Sequence, residues 1–251
     1  MAEAFIPKRQ RTSAPLFAYT GNYEIIDDGH GDWRLRLLSS GTLTFTSING
    51  KLVHGIDVFL VGGGGCGTYV SYLNDWAWSG GGGGYTKTHK NVSVSRDTPY
   101  TVVVGAGGTQ STGYDGGQSS IVIGGTTYKA AGGIHATGSA GDQDSYSWAI
   151  GGNGGSGGGG GGYGGGTGGV DGANASGKGQ RTVTGPNGES GTTGEFGDPD
   201  AIKYSQGGGA ATPYMPNSGN GGHVYKAGYY QNPVEILPSS GIVIIRNHRQ
   251  I

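Results

Sequence analysis

The chain has 251 residues, among them 59 glycines and 9 prolines, and a net charge of −1. That much glycine and proline is the mark of disorder or low complexity, yet only 13% of the residues are charged and 10% are aromatic, the reverse of a disordered composition. The glycines follow no G-X-Y repeat, which excludes collagen, and the balanced charge leaves no electrostatic footprint for nucleic acid or a membrane surface.

The first stretch, residues 1–22, holds Pro7, Pro15 and the basic cluster Lys8, Arg9 and Arg11 without any sustained period. It reads as an extended docking arm. It lacks the apolar core and cleavage site of a secretory signal, and no run anywhere nears the roughly 18 apolar residues of a membrane span. Manufacture in a cytoplasm is expected, with the product staying there or leaving inside an assembly. Residues 23–251 read as one glycine-rich β domain.

From Asp32 the sequence alternates. Trp33, Leu35 and Leu37 are interleaved with Arg34 and Arg36, and Leu43 and Phe45 with threonines. Ser39-Ser40-Gly41 marks a turn, and Asn49-Gly50 predicts a type I′ hairpin. The next strand, GIDVFLV, becomes apolar on both faces by Leu60. Cys66 follows in a glycine run; as the only cysteine it excludes an internal disulfide, and it is expected buried at a strand end.

Further strands are predicted in YTKTHKNVSVS, in YTVVVGAGG, and in SSIVIGGTTYKAAGG, a hairpin turning at Gly124-Gly125. The chain closes on a short apolar strand, with Ile242 to Ile245 inside an expected element at 241–247. No segment has helical periodicity. About eight strands with regular turn signals predict an all-β fold, a sandwich or jelly roll.

The stretch YTVVVGAGGTQSTG imitates a dinucleotide-binding loop. The third glycine of that fingerprint is replaced by Gln110, and STGYDGGQSS cannot begin a helix, so no helix terminus awaits a phosphate. The glycine here serves a buried strand running into a turn, and no cofactor is implied.

The main glycine insertion spans about 151–222. In GGNGGSGGGGGGYGGGTGG it is nearly pure glycine, and shorter patches at 62–67, 80–84, 105–108, 132–133 and 207–209 follow strands directly. A flexible linker is the ordinary reading, but this one is embedded before a final strand. Glycine can instead adopt the three-residue extended helix of polyproline, whose backbone groups point outward. Without Cβ atoms, such rods can pack backbone to backbone. Ordering costs roughly 1–2 kcal/mol per residue and is greatest for glycine, while each hydrogen bond returns about 0.5–1.5 kcal/mol net. The rods must therefore be almost fully paired and anchored by a conventional core.

The series GTLTFTSINGKLVHGIDVFLVGGGGCG, GGGGGYTK, YTVVVGAGG and SGIVIIR resembles glycine-rich tail-fibre and virion surface proteins of tailed bacteriophages and prophages. It also resembles the glycine-rich domain of anaplastic lymphoma kinase. The resemblance covers about residues 40–250. It implies a tumour-necrosis-factor-like sandwich bearing bundled polyglycine II helices. One cysteine and no secretion signal favour the phage side.

Candidates for chemistry are few. The six histidines have no partner at metal-ligand spacing. The pairs Asp198/Asp200 and Asp142/Asp144 read as solvated turn acids rather than a calcium site. No nucleophile elbow occurs, and a glycosidase carboxylate pair is not signalled. The aromatic loops say more: Tyr69, Tyr72, Trp76 and Trp78; Tyr146 and Trp148; Tyr214, Tyr225, Tyr229 and Tyr230. Rigid aromatics among Ser, Asn and Gly suit a binding surface, and equally suit covering the rod ends or packing against a neighbouring subunit.

The reading that follows is a non-enzymatic virion protein, a tail-fibre tip or receptor-binding component. Its arm docks to another virion protein and its aromatic loops meet a host glycan or protein. A homo-oligomer is expected, since phage fibres are usually trimers; nucleic acid, membrane insertion, metal and cofactor are not. The alternatives are a structural or decorative capsid, neck or tail protein, and a surface-polysaccharide depolymerase.

Overall fold

The computed structural model describes residues 15–48, 50–72, 75–109, 114–139, 148–155, 193–198, 200–208, 214–225 and 234–249. They form an all-β fold. One five-stranded antiparallel sheet has the order β1 (Phe17–Tyr19), β4 (Gly41–Phe45), β9 (Pro99–Val103), β10 (Ser119–Ile123), β11 (Thr126–Ala130). A second has the order β2 (Tyr23–Gly29), β3 (Asp32–Leu37), β18 (Ile242–Asn247), β5 (Ile56–Val61), β8 (Thr86–Val92). Four two-stranded ladders complete the described part: β6 (Thr68–Tyr72) with β7 (Asp75–Ser79), β12 (Thr137–Ser139) with β13 (Trp148–Ile150), β14 (Thr193–Gly194) with β15 (Lys203–Tyr204), and β16 (His223–Tyr225) with β17 (Val234–Ile236).

The alternation read from the sequence sets the core. Leu35, Leu37, Val58, Leu60, Val243 and Ile245 of the second sheet pack against Leu43, Phe45, Val102 and Ile121 of the first, all buried. Each such side chain, fully buried, contributes about 1.5–3 kcal/mol. The terminal strand lies between β3 and β5, with Ile245 opposite both Leu35 and Val58. The last strand thus joins the earliest ones of the second sheet. The predicted hairpin at Gly124-Gly125 is present, both residues at positive φ (57° and 78°) as a type I′ turn requires. β1 lies within the stretch read as an arm and pairs with β4.

The Asn49-Gly50 hairpin does not form. β4 pairs with β1 and β9, whereas β5 pairs with β18 and β8. The chain between them crosses from one sheet to the other through a short 3-10 turn, Gly50–His54, whose Leu52 is buried in the core. Both β4 and β5 are apolar toward the same interior. Pairing them side by side would leave one sheet without its facing layer.

β5 is buried along its whole length. Its second face, with that of β18, presents Phe59, Val61, Ile242 and Ile244 to Phe196 and Tyr204. Glu195, 2% exposed, fastens this covering segment by ion pairs with Arg34 and Arg36 and by accepting the Tyr204 hydroxyl hydrogen bond at 2.8 Å. The guanidinium of Arg246 sits 4.1 Å from the Phe196 ring centroid.

Candidate functional site

Six sandwich strands, β5, β8, β9, β10, β11 and β18, continue at one end into glycine segments. Their hydrogen bonds show how glycine orders. Gly62 and Gly65 donate to Tyr85 and Gly82, Gly63 and Cys66 donate to Gly117 and Tyr114, and Gly64 donates to Ser239. Successive residues thus turn to three different neighbours and return to the first after three, the period of the polyglycine II rod. The segment 80–85 repeats this: Gly81 and Gly84 donate to Gly222 and Gly219, Gly82 and Tyr85 to Ile134 and Ala131.

The rod 62–66 is enclosed. It donates to segments 82–85, 114–117 and 239–241, and accepts from Gly108, Gly133, Ala136 and Gly222 of three others. These six neighbours bond to one another in a closed ring, through Gly82 to Ile134, Gly116 to Gly133, Gly117 to Ala106, Gly241 to Gly105, Gly219 to Ser240 and Gly81 to Gly222. The result is hexagonal packing around a central rod. A Cβ added at Gly62, Gly63, Gly64 or Gly65 would overlap a carbonyl oxygen of Ala131, Ala106, Asn220 or Ile134. Side chains fit only where they point out of the lattice or end it. Cys66 does the latter: it is buried within a rod rather than at a strand end, and its thiol donates to the Gly108 carbonyl at 3.0 Å. Burial pushes that thiol up to about 11, with the carboxylates of Glu235 and Asp115 adding to the effect.

At the far end of the rods stand three hairpins, each on a pair of mutually bonded rods. β6–β7 rises from 62–66 and 80–85, β12–β13 from 131–136 and 152–155, and β16–β17 from 218–222 and 239–241. The β6–β7 hairpin touches both of the others. The Ser79 hydroxyl donates to the Ile150 carbonyl at 3.2 Å, and Gly80 bridges to His223. His223 is 4% exposed, and burial lowers its pKa, keeping the imidazole neutral.

The structure gathers part of the sequence-predicted aromatic set here. Tyr69 lies opposite Trp78 across the β6–β7 ladder, both half-buried. Tyr72 and Trp76 belong to the same ladder, and Trp148 lies opposite Ser139 in β12–β13. Tyr225 lies opposite Val234 in the third hairpin. Tyr214 is elsewhere: it is 61% exposed, three residues before Asn217, whose amide donates to the Leu38 carbonyl at the sandwich end of the rods. Tyr146, Tyr229, Tyr230, Lys8, Arg9, Arg11, Asp142 and Asp144 lie outside the described residues. Asp198 accepts the Asp200 N–H at 2.9 Å in an exposed turn, as a turn acid does.

One tip feature escaped the sequence reading. Tyr114, 43% exposed with φ 69°, begins a rod beside His135, their rings 5.9 Å apart. The His135 ring nitrogen Nδ1 and its backbone N–H both meet Asp115 Oδ1, at 2.6 and 2.9 Å. The signal was an aromatic flanked by glycine in STGYDGG, the same pattern as in the other loops. The arrangement supplies aromatic and polar contact surface. Among the described residues no three His, Cys, Asp or Glu side chains group as metal ligands.

No curated protein matches the sequence significantly. Residues 39–248, by contrast, match the model of a family described as the glycine-rich domain, and the chain belongs to that family.

Proposed function

We propose that the protein is a non-enzymatic virion component of a tailed bacteriophage that contacts the host surface through the hairpin tip. The observation that supports this is the convergence of three hairpins, far apart in sequence and carrying Tyr69, Trp78, Trp148 and Tyr225, on one end of a rigid rod bundle. A stiff lattice that presents short aromatic segments away from its core is an arrangement for binding. In this reading the N-terminal segment with Lys8, Arg9 and Arg11 joins another virion protein. A homo-oligomer, such as the trimer usual for phage fibres, adds affinity by multivalency.

The test is adsorption of purified protein to host cells. Tyr69→Ala combined with Trp78→Ala is expected to weaken binding about tenfold or more, as loss of aromatic anchors does, with an unchanged melting transition. Undiminished adsorption of phage lacking the protein overturns the proposal, as does wild-type binding by the folded double variant.

A further inference from the structure

At one flank of the sandwich β8, of the second sheet, comes against β11, of the first. Next to the rods this flank is closed, the Tyr85 N–H donating to the Ala131 carbonyl at 2.9 Å. Farther from the rods it holds a cleft of about 560 Å³ that reaches Gly124 of the β10–β11 turn. That volume is the size of a small-molecule site. Val61, which leads into the rods, pairs with Thr86, whereas Val92 pairs with Ile56 at the opposite end of β5. The cleft is therefore remote from the hairpin tip.

Two rings form its floor. His89 lies opposite buried Val58 and Tyr128 opposite buried Ile121, so both side chains turn inward between the sheets. Their centroids are 4.7 Å apart in an edge-to-face contact, and both residues stay half-buried. Around them stand the Thr88, Ser93 and Thr126 hydroxyls and the Asn91 amide. Among the described residues these four side chains and the Tyr128 hydroxyl have no hydrogen-bond partner. The Nε2 atom of His89 is buried and also unpaired, a standing cost for a polar atom. Burial, with Lys87 adding to it, lowers the His89 pKa and keeps the imidazole uncharged at neutral pH. Exposed Lys90 is the single charged group among the described lining residues, and no carboxylate lines the cleft.

We infer that this cleft binds an uncharged saccharide, one sugar ring lying against Tyr128 and His89 while its hydroxyls bond to Thr126, Thr88 and Asn91. Hydroxyls and amides both donate and accept, which matches a ligand whose own polar groups are hydroxyls. The electron-rich face of an aromatic ring suits the C–H side of a sugar. A nearly neutral lining gives a charged ligand little to select it. The inference goes beyond the role given to the tip and stands without it.

The probes are lactose, maltose, cellobiose and methyl α-mannoside, each titrated to tens of millimolar into the full-length protein while amide and aromatic signals are followed. At least one is expected to saturate, shifting residues 88–93, 124–126 and the Tyr128 ring. Thr126→Ala and Tyr128→Phe are each expected to weaken that binding about two- to tenfold, the loss of one hydrogen bond. Thr127→Ala, on the other face of β11 and equally exposed, is expected to leave affinity and the melting transition unchanged. Failure of all four sugars to bind overturns the inference. So does equal weakening by Thr126→Ala and Thr127→Ala, saturation that shifts only tip residues, or tighter binding of digalacturonate at the same signals, which would mean that Lys90 selects an anion. Sugar binding that persists when the tip substitutions abolish adsorption, or the reverse, tells the fate of the two readings apart.

Discussion

At Gly63 one methyl group is decisive. Its Cβ would overlap the Ala106 carbonyl oxygen, a backbone atom fixed by its own bond from Gly117. Gly63→Ala is expected to cost about 3 kcal/mol or more, the upper end of overpacking penalties, read from denaturant unfolding. Ala106 stands on a neighbouring rod with its side chain exposed, and Ala106→Gly is expected to cost only the added chain entropy, about 0.5–1 kcal/mol. Similar costs at the two sites would contradict the hexagonal packing. Glu195 works by charge instead. Burial alone would raise its pKa, but the Tyr204 hydroxyl, Arg36 and Arg34 outweigh burial and hold it below the usual carboxylate value. Its contribution is therefore complete above the ordinary glutamate pKa and is lost as acid protonates it below that value. Glu195→Gln is expected to cost roughly 2–3 kcal/mol at neutral pH, at or below the range for fully buried pairs because Arg34 and Arg36 keep some solvent contact. The difference from the parent should shrink in acid; a pH-independent difference would show that the ion pairs contribute nothing.

The elements differ in how well the sequence announces them. β3, β4, β5 and β18 were legible because alternation or a short apolar run marks a strand that meets a core. That the short glycine patches such as 62–67 and 80–84 would order as rods was also legible, from composition and the lack of any other route to a folded state; most of the main insertion, residues 156–192, lies outside the described residues. Which rods become neighbours was not. A glycine has no side chain to encode its lateral partners, so nothing in GGGG says that 62–66 sits at the centre or that three hairpins share one end. The same silence placed Tyr214 with the other aromatics, although its segment returns to the sandwich. Asn49-Gly50 misled for a different reason: a local turn preference yielded to burial of Leu52 between the sheets. Hydrogen exchange checks the rods directly. The amides of Gly62 to Cys66, all bonded to other rods, are expected to exchange as slowly as those of β5. Exchange at free-peptide rates would mean that the ring of rods is not formed.

Across the whole molecule the sandwich and the rods are one cooperative unit, because β5, β8, β9, β10, β11 and β18 pass without interruption from core into lattice. The core side chains supply the favourable burial that the rods, with few apolar side chains of their own, cannot. Leu60 is fully buried and stands two residues before Gly62. Leu60→Ala is expected to cost about 2–5 kcal/mol. For a chain of this size each kcal/mol lowers Tm by roughly 2–4 °C. Rod amides should lose protection together with core amides in a single transition. Rods that kept their protection while the core melted would mean that the bundle folds alone.

The paired footing of each hairpin has an engineering consequence. The feet of β6–β7 are clamped sideways, Gly62 to Tyr85 and Gly65 to Gly82, so the spacing of the two legs is fixed below the loop rather than by it. Foreign segments spliced between Tyr72 and Asp75 can accordingly vary in length and composition without disturbing the register beneath. The molecule is a ready-made display platform, with several independent insertion ports set side by side on one face.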